Sequence, residues 1–180
     1  MKKTIKKFMA ALLAVALLCA MAVPAFAAEG ATTGTSNTGS ITITNAAKGE
    51  TYTIYRIFDL ESYSGDNYSY KLSDKWTGLA NDATFKNYFN IITGGYVVPK
   101  DAYTEDAAKT FAAAALAFAK STTAPIANDG SAVATDTTVS FTGLQLGYYL
   151  VDTTQGTLCS LDTTADHVDI KSKPPAEPVA

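Results

Sequence analysis

Apolar residues recur at every second position in two blocks of this chain, one toward each end. They recur at every third or fourth position in the block between. A strand turns successive side chains to opposite faces, whereas a helix gathers residues three and four apart onto one stripe. The order is therefore strands, helices, strands. Strands at both ends with helices inserted between them suggest one β-sandwich that carries a helical excursion. The predicted fold is mainly β: a β-sandwich with one or two inserted α-helices.

The strand Ser40-Ile41-Thr42-Ile43-Thr44 alternates strictly and is rich in β-branched residues. After a turn at Lys48-Gly49, a longer strand over 51–60 pairs with 68–72 across the four-residue loop Ser64-Gly65-Asp66-Asn67. Aromatics then fall three and four apart in Asp82 to Phe89, at helical spacing. The clearest helix opens at Thr104-Glu105-Asp106. Thr104 is placed as N-cap, the two acids favour the positive helix end, and Lys120 favours the negative end. Phe111, Ala115 and Phe118 form its core-facing stripe. Beyond Asn128-Asp129-Gly130 the chain returns to strands, over 137–141, 147–152, 158–161 and 167–171.

The ends bound the domain. Lys2, Lys3, Lys6 and Lys7 precede an apolar run from Phe8 to Ala22, and Ala25-Phe26-Ala27 has small residues at both cleavage positions. Residues 1–27 read as an export signal, cut after Ala27. Removal leaves 153 of the 180 residues and takes the net charge from −3 to −7. An acidic chain argues against nucleic acid or an anionic membrane surface as partner. Only Cys159 then remains, so no intramolecular disulfide can form. Residues 28–39 are a Gly/Thr/Ser-rich lead-in, 40–173 form one domain, and the proline-rich 174–180 reads as a linker or the start of a next domain. No second apolar stretch reaches spanning length.

Enzyme constellations are sparse. His167, the single histidine, lies on a predicted strand without a partner motif. Asp162, Asp166 and Asp169 lack the spaced, glycine-containing loop of a dedicated calcium site. No phosphate loop or nucleophile elbow occurs, so neither an enzyme nor a cofactor or metal site is expected.

The segments GSITITNAAKGETYTIYRIFDLESYSGDNYSYKL and FTGLQLGYYLVDTTQGTLCSLDTTADHVDIKSKPP carry a resemblance. Over roughly residues 39–173 the chain resembles the N-terminal domain of Gram-positive sortase-assembled pilins, the isopeptide-forming fimbrial proteins. The resemblance implies an immunoglobulin-like or prealbumin-like (Cna-B-like) sandwich and a structural role on the cell surface. Its implied partners are other pilin subunits and a sortase, with host surfaces or glycans as adhesion targets. Such domains often carry a Lys–Asn or Lys–Asp crosslink promoted by a buried acid, and Asp152 in Gly147-Tyr148-Tyr149-Leu150-Val151-Asp152 occupies the acid's position. The first strand here holds no lysine and the last no asparagine, so no internal crosslink is expected. The family also presents a lysine near the domain's end to the sortase. The matching residues are Lys173, favoured for its place before Pro174-Pro175, and Lys171. An alternative from the residues alone is a secreted carbohydrate-binding module, using Tyr63, Tyr68 and Tyr70.

Overall fold

The computed structural model describes residues 38–64, 67–121, 123–153, 156–161 and 167–171. The predicted signal, most of the lead-in, the 174–180 tail and Lys173 lie outside the described residues. Ten strands fall within them. β1 (Thr38–Thr44), β7 (Thr138–Gln145) and β10 (His167–Lys171) form a three-stranded sheet in the order β10-β1-β7. β2 (Thr51–Ser64), β3 (Asn67–Leu72), β8 (Gly147–Val151) and β9 (Thr157–Leu161) form a larger sheet in the order β3-β2-β8-β9. There β6 (Gly130–Val133) pairs with the start of β2. A small hairpin, β4 (Phe89–Ile91) with β5 (Val97–Pro99), stands apart.

The first and last strands lie side by side and parallel, Ile43 opposite Ile170, while β7 runs antiparallel on the other side of β1. Alternation does the sorting. Ile41, Ile43, Val139, Phe141 and Ile170 turn inward. They meet Tyr52, Ile54, Tyr149, Val151, Cys159 and Leu161 from the inner face of the larger sheet. This shared apolar layer makes the two sheets a sandwich. In β7 the rhythm slips between Phe141 and Leu144, where two residues oppose the single Ser40 of β1. Gly143 takes φ +67° in that extra position, a left-handed conformation that glycine adopts without a side-chain clash. The bulge restores Leu144 to the interior.

The larger sheet is buried on its other face as well. Tyr55, Ile57, Phe58, Tyr68, Tyr70, Tyr148 and Leu150 point away from the sandwich interior and are covered by the helical excursion. β8 is therefore buried at all five positions, as expected of a strand with a covered face on each side. The cover begins with a 3-10 segment, Asp74–Asn81, which seats Trp76 and Leu79. It continues with α1 (Ala83–Tyr88), whose N-cap Asp82 accepts hydrogen bonds from the backbone N–H groups of Thr84 and Phe85. α2 (Glu105–Ala119) starts at Thr104, whose hydroxyl accepts from the Ala107 N–H. Its buried stripe is Ala107, Phe111, Ala112, Ala115 and Ala119. Phe118, expected in that stripe, lies at its margin and stacks on Trp76 with centroids 6.1 Å apart. Burying Phe111 alone is worth about 2–3 kcal/mol.

The boundaries differ from the sequence expectations in informative ways. β2 runs on to Ser64 and β3 begins at Asn67, so the hairpin connection is two residues rather than four. β7 extends to Gln145, and a single residue, Leu146, joins it to β8 in the opposite sheet. At that corner Gly147 has no room for a side chain. A Cβ there would collide with the Phe58 carbonyl oxygen and crowd the Arg56 side chain.

Candidate functional site

The parallel pairing of β1 and β10 determines what the outer face of the three-stranded sheet presents. Register matches Ser40 with His167, Thr42 with Asp169 and Thr44 with Lys171. Ile41, Ile43 and Ile170 face inward, so the partners alternating with them share the outer surface. The result is a row of hydroxyls beside an imidazole, a carboxylate and an amine. Ser40 Oγ lies 2.6 Å from His167 Nδ1, and His167 Nε2 lies 3.1 Å from Asp169 Oδ1. Thr42 and Ser140 hydroxyls meet at 3.2 Å on the β7 side.

His167, which has no partner motif in the sequence, has hydrogen-bond partners in the fold, and both lie on the sheet surface. Ser40 stands 127 positions away in sequence, so no local motif could have announced it. The usable signal was parity. Ser40 shares a face with Thr42 and Thr44, and His167 shares one with Asp169 and Lys171. Only the pairing of the first strand with the last joins the two sets.

Lys171 is exposed at the end of β10, an edge strand. Among the described residues it forms no ion pair. Asp162 and Asp166 lie outside the described residues, as does Lys173. Among the described residues no group of three or more His, Cys, Asp or Glu is close enough to hold a metal ion.

Asp152 lies elsewhere, just past the end of β8. Its backbone N–H donates to the Thr53 carbonyl at 2.8 Å, which prolongs the β2–β8 ladder by one step. Its carboxylate receives the Lys120 ammonium, 2.7 Å from Oδ2 and 2.8 Å from Oδ1. Lys120 is the C-cap of α2, so this pair ties the end of the helix to the end of the central strand. Tyr55 lies close by. Burial raises its pKa, the Asp152 charge raises it further, and Lys120 works the other way. The face-to-face positions of β1 and β10 hold Ile43 and Ile170 instead of a lysine and its acceptor.

Two other features act as structure. A cleft of about 190 Å³ opens at one end of the sandwich, where Arg56, Asp129, Gln145 and Tyr149 meet. Its charges are already matched. Arg56 Nε is 2.8 Å from Asp59, and the guanidinium also donates to Gln145 Oε1. The Asp129 carboxylate accepts the Arg56 backbone N–H at 2.6 Å and pairs with Lys75 at 2.5 Å. β6 pairs with β2 up to Ile54 and β3 takes over from Phe58. Asp129 therefore supplies an acceptor where the ladder has a gap. The tyrosines proposed for carbohydrate are divided. Tyr68 and Tyr70 are buried under the helices, with Tyr70 Oη 2.9 Å from Ser160 Oγ, and only Tyr63 is exposed, at 52%.

Compared with known proteins, the chain matches no family model and no curated protein.

Proposed function

We propose that this chain is a structural subunit of a Gram-positive cell-surface fimbria or adhesin. It is exported by residues 1–27 and joined to its neighbours through a lysine amine at the end of its last strand. The observation that carries this reading is the position of Lys171. It closes an edge strand, stands on the outer face and has no ion-pair partner among the described residues. An amine that accepts an acyl group must be reachable by the transferring enzyme and free to lose its proton, and both demands favour such a site. In the sequence Pro174 and Pro175 come directly after Lys173. Lys173, the acceptor favoured on the sequence, lies outside the described residues and stands beside Lys171 as a candidate. The parallel pairing of β1 and β10 also suits a load-bearing module, since the first and last described strands share one sheet. No helix of the described residues is long and apolar enough to cross a membrane.

Arginine substitution tests this reading, because it keeps the charge while removing a competent nucleophile. In a host with the cognate sortase, Lys171→Arg or Lys173→Arg, or the two together, abolishes polymer ladders while the monomer is still folded and exported. Unchanged ladders in the double variant would exclude both lysines. The binding-module alternative loses its aromatic face, since Tyr68 and Tyr70 are core residues.

A further inference from the structure

The outer face of β1 and β10 carries a second chemistry, independent of any role for Lys171. Ser40, His167 and Asp169 form one hydrogen-bonded chain, with separations of 2.6 Å and 3.1 Å. An ionised carboxylate only accepts hydrogen bonds, so Asp169 requires a hydrogen on His167 Nε2. A neutral imidazole protonated there presents its lone pair at Nδ1. The Ser40 hydroxyl must then be the donor to Nδ1. The carboxylate fixes the tautomer, and the tautomer aims a base at the hydroxyl. These are the roles that activate a serine: nucleophile, base and orienting acid. The two ring nitrogens are exchanged relative to the protease triad, where Nε2 faces the serine. The roles themselves are unchanged.

The geometry points to Ser40 as an acyl-accepting hydroxyl on the sheet surface, with activated esters as its substrate class. In the step, Ser40 Oγ attacks the acyl carbon while its proton passes to His167 Nδ1. The new Oγ–C bond forms as the bond to the leaving alkoxide or phenolate breaks, and the imidazolium returns the proton to that leaving group. The imidazole is 51% exposed and Asp169 64% exposed. Water screens both, which limits the acceleration and makes a single acylation the event to look for, rather than rapid turnover. The other groups on this face include Thr38, Thr42 and Thr44 of β1, Ser140 of β7 and Lys171 of β10.

The experiment exposes the purified chain to p-nitrophenyl acetate at neutral pH, quenches with acid and maps acetylated peptides by mass spectrometry. Hydroxylamine separates the two kinds of product, since it cleaves a serine ester and leaves lysine amides intact. The expected result is an ester on Ser40 that forms about 10-fold more slowly in His167→Gln, less than the roughly 10²–10⁴-fold of a well-positioned base because water screens this imidazole. Asp169→Asn gives a similar loss, because the asparagine amide can donate to Nε2 and invert the tautomer. Asp169→Glu retains most of the rate, a rescue that a purely structural role for the acid does not require. All three are surface changes, and an unaltered melting temperature checks that the fold is kept. Ser40 acetylating no faster than Thr42 and Thr44, or equally fast without the imidazole, overturns the inference.

Discussion

Tyr149 donates its hydroxyl hydrogen to the backbone carbonyl of Gln145, 2.7 Å away, across the corner where the chain passes from one sheet to the other. Only Leu146 separates the two strands there. The arrangement is that of a tyrosine corner, in which a phenol on the second strand braces the backbone a few residues upstream. The ring also packs in the inter-sheet core, so a single side chain serves the layer and its crossover.

Tyr149→Phe keeps the packing and removes the brace. The Gln145 carbonyl loses its partner, and the expected cost is about 1–2 kcal/mol. Urea denaturation should show a lower midpoint with an unchanged slope. An unchanged midpoint would mean that solvent replaces the hydroxyl without loss.

Gly147→Ala strikes the same corner sterically. The added methyl meets the Phe58 carbonyl oxygen and the Arg56 side chain, and neither backbone can retreat without opening the β2–β8 ladder. The loss should reach about 1–3 kcal/mol, the range for overpacking. A melting temperature equal to that of the parent chain would show that the corner is looser than its geometry implies.

Parts of this architecture are legible in the sequence because one face of each element meets water. β1 alternates clearly since Thr42 and Thr44 lie on the outer surface while Ile41 and Ile43 are inside. α2 announces itself through Thr104, the acids of its first turn and the spacing from Phe111 to Ala115. The hairpin β4–β5 and the strand β6 span only three or four residues each, too few to display a period, and were not anticipated. In the 3-10 segment only Trp76 and Leu79 are buried, a single i, i+3 pair that is too short to display a repeat. The Ser40–His167 contact is illegible for another reason. It depends on the parallel pairing of β1 with β10, strands far apart in sequence, and nothing local encodes that.

Buried acids that stay protonated predict an alkaline limit. Burial pushes the Cys159 thiol from 9.0 up to about 12, and it raises Tyr103, Tyr148 and Tyr149 above their ordinary 10.0. In the unfolded chain these groups ionise at their ordinary values, so the unfolded state releases protons first as pH rises. Their contribution to stability is complete below about pH 9 and is lost progressively toward about pH 12. Urea midpoints should hold steady to pH 8 and fall above 9. The same burial should keep Cys159 unreactive toward a thiol reagent until the chain unfolds. Rapid labelling of the native protein at pH 8 would contradict it.

The Lys120–Asp152 contact is predicted to be an ion pair and nothing more. The half-exposed lysine is in contact with water, whereas spontaneous amide formation, without an enzyme to activate the acyl group, needs a desolvated, neutral amine. The intact mass of the purified chain should equal that of its sequence from its N-terminal residue. A deficit of about 18 Da, one water, would reveal a covalent bond.

The linkage itself gives the most direct test of the proposed subunit role. Polymer taken from the surface of an expressing host can be digested and its branched peptides sequenced by mass spectrometry. The account predicts a branch at Lys171 or Lys173, with the ε-amine carrying the C-terminal carboxyl of another chain. Branch points at other residues, or a chain recovered only as monomer with both amines unmodified, would contradict it.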